Sequence, residues 1–509
     1  MNNILFAMKN FFKTKSFFWL LIPVFFLLRN INIYFGFIRA NQVLLLLAEY
    51  LLGSAVFYLV VYRLAGKSSY KTSLYCLLFL SVYFFFRPLD EFVQQQTWLI
   101  PLNRYRYFLP FLLLFLLAAM LYIRKMTNQP RRATLFLNLL LSIFCLIELS
   151  RFFSNIVAPP KPILGLSDNL SLFDDPPPRV SHPNVYFLLF DEYQGNAGLQ
   201  RNFQFDNAGL IQALKRDSFY IPKLSRTNYN YTFFSMPSIF NMSYVKGEVQ
   251  GRDGLDILLK MLSGMKLIQN ARVVEFFKRN NYTIVNFSPF SLDGSGREIS
   301  RYENIPWGKY LITSQTIIPV LVDKFAWEID NKTWLDLTDP LDYWNQYYNQ
   351  YVENRLIDES AGASGSGPRF TYAHFFMPHT PRQKDSAGNE VSLKYQMQHL
   401  SPDTAKALYL GYLKYSGLAL LRMVGKIIKN DPQSIIIVMS DHGLRDGSTM
   451  EYNNQFSIRI PGADYSHWPD TVDAVNVFRI LLNDRFGQKL DYLPYRQVPF
   501  TLTPSSEHK

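Results

Sequence analysis

Residues 434–443 read SIIIVMSDHG, a run of apolar positions from Ile435 to Met439 closed by Ser440, Asp441, His442 and Gly443. A short, β-branched, continuously apolar run reads as a strand buried on both faces, the kind found in parallel sheets covered by helices. An acid and an imidazole directly after such a strand lie beyond its carboxyl end, where ligands gather in open α/β sheets. Two further runs share the form. NVYFLLF (184–190) runs into Asp191, Glu192 and Tyr193; FTYAHFFM (370–377) runs into Pro378, His379, Thr380 and Pro381, with His374 inside the strand. YTIVNF (282–287) reads as a fourth strand, and 206–216, 253–264, 271–280 and 403–430 read as helices. The alternation predicts an α/β domain with a mainly parallel central sheet and helices on both faces.

Carboxylates and an imidazole delivered from several strand ends can converge on one divalent cation. Oxygen and nitrogen ligands suit zinc, with manganese as the alternative. The only cysteines, Cys76 and Cys145, lie in apolar runs, so no disulfide is expected after residue 156. Gly443 is expected to serve a tight turn. A fourth segment, SRTNYNYTFFSMPSIFNM (225–242), reads as a loop entering a short helix near Pro237. A hydroxyl there would meet the positive end of the helix dipole. Thr232 is thus a candidate nucleophile, with helix capping as the plain alternative.

The amino-terminal third has a different composition. Residues 1–156 hold 16 Lys/Arg against 4 Asp/Glu, so the whole net charge of +12 resides there and the remainder is neutral. A nucleic-acid-binding face is excluded on that ground. Apolar runs at 17–28, 43–62, 72–86, 107–123 and 133–150 predict five transmembrane helices. Ten basic residues on one set of loops against five on the other place the amino terminus in the cytoplasm. The expected organisation is a transmembrane domain at 1–156, a proline-rich linker at 157–184 and an extracytoplasmic catalytic domain at 185–509. Glu49 and Glu148 fall in or near spans and read as helix-paired carboxylates or lipid-headgroup contacts. The apolar stretch 310–326 reads as a core element, or else as a segment resting on the membrane. Residues 360–368 (SAGASGSGP) read as a flexible loop.

Glu192 after a strand, T-x-x-S-x-P at 232–237, H-x-x-x-x-H at 374–379 and S-D-H-G at 440–443 occur in that order. With the apolar anchor, this set resembles the alkaline phosphatase/sulfatase superfamily, in its membrane-anchored branch of phosphoethanolamine transferases and lipoteichoic acid synthases. The resemblance implies a metal held by Glu192, Thr232, Asp441 and His442, with Asp191 a further candidate. It implies that Thr232 is the nucleophile and that His379 contacts the donor phosphate or protonates the leaving group. Substrate contacts would come from His374, Ser235, Asn454 and His467. The last two are candidates because the transferases' later histidine is replaced here by Asn453 and Asn454. Ile239 stands where sulfatases carry an arginine, so sulfate-ester hydrolysis is not expected. The implied activity is transfer of a phosphoethanolamine- or phosphoglycerol-type headgroup from a phospholipid donor to an envelope lipid or glycan acceptor, at a bacterial cytoplasmic membrane. A monomer is expected. A tethered phosphodiesterase or phosphatase of the same fold, and a non-catalytic envelope scaffold, are the alternatives.

Overall fold

The computed structural model describes residues 10–500 except 97–98, 100–101, 103, 128–130, 168–181, 248, 251–253, 293–307, 323–339, 363–366, 393–395, 397–399 and 446–448. Half of the expected linker, the middle of the 360–368 loop and residues 323–326 therefore lie outside the described residues. The chain divides into two compact units, 1–161 with 304–339, and 162–303 with 340–509.

The first unit is helical. Helix α1 spans Phe18–Ile33, α2 Ala40–Leu64, α3 Ser69–Phe84, α4 Phe86–Gln95, α5 Tyr105–Lys125 and α6 Arg131–Val157. Three of these, α2, α5 and α6, are long and apolar enough to cross a membrane. A fourth crossing results only if α3 and α4, bent by 67° at their junction, count as one. The expectation of five spans is corrected at α1. Its 16 residues reach about 24 Å, short of a hydrocarbon core of about 30 Å. Helix α1 is instead the packed centre of the unit, where Phe18, Ile22, Phe26 and Leu27 are buried among Leu46, Cys76, Leu80 and Phe84. By contrast, α2 turns Leu44, Leu52, Val56 and Leu59 outward.

Residues 308–322 belong to this unit although they are distant in sequence. Ile312 is buried in the cluster around Phe18 and Phe26, and Val320 packs with Phe86 and Phe108. Arg87 fastens the segment by donating from Nε to the Ser314 carbonyl at 3.1 Å and from its backbone N–H to that of Gln315 at 3.2 Å. Ile318 and Val322 stay exposed.

The second unit is an α/β domain around six strands. These are β1 Val185–Phe190, β2 Phe219–Tyr220, β3 Thr283–Phe287, β4 Arg369–Phe375, β5 Ile435–Met439 and β6 Phe456–Arg459, in the order β2-β6-β5-β1-β4-β3. The sheet is mixed, with three parallel and two antiparallel strand pairs. β5, β1, β4 and β3 run parallel, while β6 is antiparallel to β5 and β2 antiparallel to β6. The added pair is too short to announce itself by periodicity.

Side chains alternate across the sheet as strand geometry requires. Tyr186, Leu188 and Phe190 of β1 pack in one core with residues of α9 (Pro340–Ala361) and α10 (Pro402–Asn430). Phe187 faces the other way, its ring 5.6 Å from Phe240 of α7 (Thr232–Asn241) and 5.2 Å from Phe478 of α11 (Val477–Phe486). Helices thus cover both faces. Leu189 is in register with His374 on one side and Met439 on the other, so the three strands end at one level.

Candidate active site

The same alternation decides which side chains meet. Ala373 and Phe375 of β4, and Ile436 and Val438 of β5, face the α10 core. His374 and Asp441 therefore fall on the α7 face, as does Asp191 two residues after Leu189. Asp191, Asp441 and His442 bring one ligand atom each within 4.8 Å of one another, all three buried. His442 Nε2 lies 3.3 Å from Asp441 Oδ2 and 3.8 Å from Asp191 Oδ1. Behind them, His374 Nε2 is 3.6 Å from Asp191 Oδ2, and its Nδ1 pairs with the Tyr372 hydroxyl at 2.8 Å. His374 is wholly buried, with Nε2 facing the acid but not hydrogen-bonded to it, and does not open to a substrate.

The two acids oppose each other. Burial and the Asp191 charge push the Asp441 carboxyl above the usual range, against His442 and Thr232. Burial would raise Asp191 too, but His379, His374 and His442 hold it well below. Like charges in one buried pocket resist ionising together. Asp191 Oδ1 and Asp441 Oδ2 are buried without a hydrogen-bond partner, which is costly for any polar atom. Orphaned oxygens, two acids and an imidazole fit a divalent cation. His442 is prepared for it: Nδ1 pairs with the Gly443 carbonyl at 2.8 Å, leaving Nε2 toward the acids.

Thr232 is the first residue of α7 and the cap is Tyr231, so the capping reading does not hold. Its Oγ1 lies 3.4 Å from His442 Nε2. Thr232 is partly exposed, whereas Phe233 to Asn241 are buried. Helix α7 is fixed against the site by Ser235, whose hydroxyl donates to the Asp441 carbonyl at 2.6 Å and pairs with Thr227. Ser235 is therefore a positioning residue and not a substrate contact. Pro237 sits inside α7 and cannot donate to the Phe233 carbonyl. That carbonyl faces Gly264 of the neighbouring helix α8 (Gly254–Gln269), where a Cβ would lie 2.1 Å from it.

Glu192 behaves unlike its neighbour. Its φ of 65° is left-handed, rare for a residue with a Cβ. The conformation is held by its N–H donating to Asp441 Oδ1 at 3.3 Å and by the Tyr409 hydroxyl donating to its carbonyl at 3.0 Å. The turn directs its carboxylate to Arg382 and Arg445, each 3.7 Å away, and not into the three-residue cluster. The two arginines were missed from the sequence. The available signal was basic residues three positions after His379 and after His442.

His379 is half-buried with Nδ1 2.5 Å from the Thr380 carbonyl. Burial opposes its protonation, but Asp191 and Glu192 outweigh that and raise its pKa above the ordinary imidazole value. The remaining candidates are not brought to the site. Asn454 is buried, donating to the Ser440 carbonyl at 2.7 Å and accepting from Ser225 at 2.8 Å, and so braces the strand end. His467 is exposed and paired with Asp484 at 2.7 Å. Gly443 is required by close approach and not by a left-handed turn: a Cβ would sit 2.6 Å from Gln194 Oε1.

No protein-family model matches the sequence, and no curated protein matches it. Solved structures similar to the chain include the C-terminal periplasmic domain of EcEptC from Escherichia coli, at 10% identity and TM-score 0.37, covering 69% of this chain and 92% of that one. Its zinc complex gives 11% and 0.38, with the same coverage. The lipoteichoic acid synthase LtaP from Listeria monocytogenes gives 10% and 0.37, over 68% of this chain and 80% of that one. At such distance, the chemistry of this chain is carried by its own side chains.

Proposed function

We propose that the protein is a membrane-anchored, metal-dependent phosphotransferase. It moves a phospho-headgroup from a phospholipid to an envelope lipid or glycan through a phospho-threonine at position 232, on the outer side of a bacterial cytoplasmic membrane. The observation that carries the reading is the partly exposed Thr232 hydroxyl, 3.4 Å from His442 Nε2 and beside the unpaired oxygens of Asp191 and Asp441.

Asp191, Asp441 and His442 would hold the cation, with zinc favoured by the nitrogen ligand. When bound, it lowers the pKa of the Thr232 hydroxyl and neutralises phosphate charge. The start of α7 adds backbone N–H groups facing the phosphoryl oxygens. Arg382 and Arg445, held by Glu192, supply guanidinium donors for the equatorial oxygens, where phosphoryl transfer needs charge neutralisation most. Deprotonated Thr232 Oγ1 forms the bond to phosphorus, the bond to the lipid oxygen breaks, and His379 gives that oxygen a proton. An acceptor hydroxyl, giving its proton to the His379 left neutral by the first step, then takes the phospho-headgroup as the bond to Thr232 Oγ1 breaks.

Intact and peptide mass spectrometry of protein from its native membrane tests this, beside Thr232→Ala. A headgroup adduct on Thr232, and a loss of turnover of about 10³-fold or more in the variant with the melting temperature unchanged, is the expected result. Full activity in Thr232→Ala removes the proposal. Turnover that releases only free phospho-headgroup makes the protein a hydrolase.

A further inference from the structure

A second place where buried polar atoms lack partners lies in the helical unit. A cavity of about 460 Å³ opens between α2, α3, Leu116 of α5 and Ile317, within the size of ligand pockets. Its lining is otherwise apolar, with Phe57, Phe79 and Tyr83 among the walls, but α2 contributes Glu49, Tyr50 and Ser54 on one face. Ser54 is 2% exposed and its hydroxyl has no hydrogen-bond partner, nor has the buried hydroxyl of Tyr50. This is unusual for a helix in an apolar surrounding, where Ser and Thr return their hydroxyls to the carbonyl four residues back. Thr72 and Ser73 of α3 do so, at 2.8 and 2.9 Å. Ser54 does not. Glu49 at the cavity wall is exposed and makes no hydrogen bond or ion pair among the described residues.

We infer that this cavity binds diacylglycerol, a two-chain neutral lipid with one free hydroxyl. Apolar walls accept acyl chains, and a carboxylate with two unengaged hydroxyls accepts and returns hydrogen bonds from an alcohol. Charge excludes the commoner occupant, since a phosphate would be brought beside the Glu49 carboxylate. Depth points the same way. Glu49 lies seven residues past Gln42, the last polar residue at the start of α2, hence about 10 Å further along the helix axis. Gln42 adjoins Gly308, at the end of the unit where 308–322 packs. A phosphate stays at the polar rim, whereas an uncharged hydroxyl can descend to Glu49. The inference rests on the proposed function only for the source of the lipid, because diacylglycerol is what remains when a phospholipid gives up its headgroup.

The test uses the full chain carrying Thr232→Ala, in phosphatidylcholine nanodiscs, with photoactivatable diacylglycerol and a phosphatidylglycerol bearing the same reactive acyl chain. Diacylglycerol is expected to label peptides covering 49–57 or 79–84 about tenfold more than phosphatidylglycerol does, a preference worth about 1.4 kcal/mol. Gly53→Leu adds a side chain where a Cβ meets nothing within 4 Å; it should abolish the labelling with the melting temperature unchanged. Glu49→Gln should reduce the preference between the two lipids. Equal labelling by both lipids, labelling confined to other peptides, or full labelling of Gly53→Leu overturns the inference. Because the carrier variant is inactive, failure here is separate from failure of the phospho-threonine reading, which the Thr232 adduct decides.

Discussion

In the helical unit, the buried carboxylate of Glu148 accepts from Asn32 at 2.8 Å and pairs with Arg151 at 3.1 Å. At the strand ends of the other unit, Asp191 and Asp441 are buried as deeply, yet each leaves one oxygen without a hydrogen bond. The difference separates structure from chemistry. A buried polar group that is fully engaged stabilises its surroundings, whereas one left unengaged is kept at a cost and marks a place where something else binds. The two unengaged hydroxyls of Tyr50 and Ser54 give the helical unit a place that resembles the catalytic one in this respect.

The comparison breaks most visibly at Asp441. Asp441→Asn removes one of two opposed charges, so the protein stripped of metal should become more stable by about 1 kcal/mol while metal content and turnover collapse. Chelator-treated melting curves and metal analysis of the same samples check both halves. If the stripped variant is less stable than the stripped parent, the two acids are not in conflict. His379→Gln comes next, with a loss of about 10²-fold or more expected for a proton donor. Its pKa lies above that of an ordinary imidazole, and the acid form is the active one. The parent's rate should therefore fall as pH rises through that raised value, and the variant should lack the limb. Profiles of kcat/KM for both proteins decide it.

Gly264→Ala sharpens the catalytic side, since its methyl would collide with the Phe233 carbonyl that Pro237 leaves free. A destabilisation of about 1–3 kcal/mol is expected, with turnover lost in step as α7 shifts. Denaturant titration measures the first and headgroup transfer the second. The smallest effect belongs to the helical unit. Asn32→Ala leaves Glu148 with Arg151 alone and should cost about 1 kcal/mol in thermal stability, with turnover unchanged. A drop in turnover there would mean that Glu148 is not merely a packing group.

Much of the site was legible before any fold was known. Asp191, His374, Asp441 and His442 were all found from the way apolar strands end, because a buried strand has few reasons to finish on ionisable residues. The roles within that set were not legible. Asn454 and His467 drew notice only by position in the chain; one braces Ser440 and the other pairs with Asp484 on the surface. Arg382 and Arg445 escaped because their one signal, a basic residue three positions after His379 and after His442, does not by itself say that both turn to Glu192.

The sequence by itself determined that one third of the chain is apolar and basic, that the rest is an α/β domain, and that three strands deliver acids and imidazoles to one edge. These follow from composition and from the period of two along a strand, which are local properties. Only the tertiary structure decided that Asp191 and not Glu192 joins Asp441 and His442, because a left-handed turn at Glu192 swings its carboxylate to two arginines. It also decided that α1 is a core helix and that 308–322 packs on the helical unit. An apolar run states that it will be buried, but its partners are chosen by which other surfaces the folded chain brings within reach.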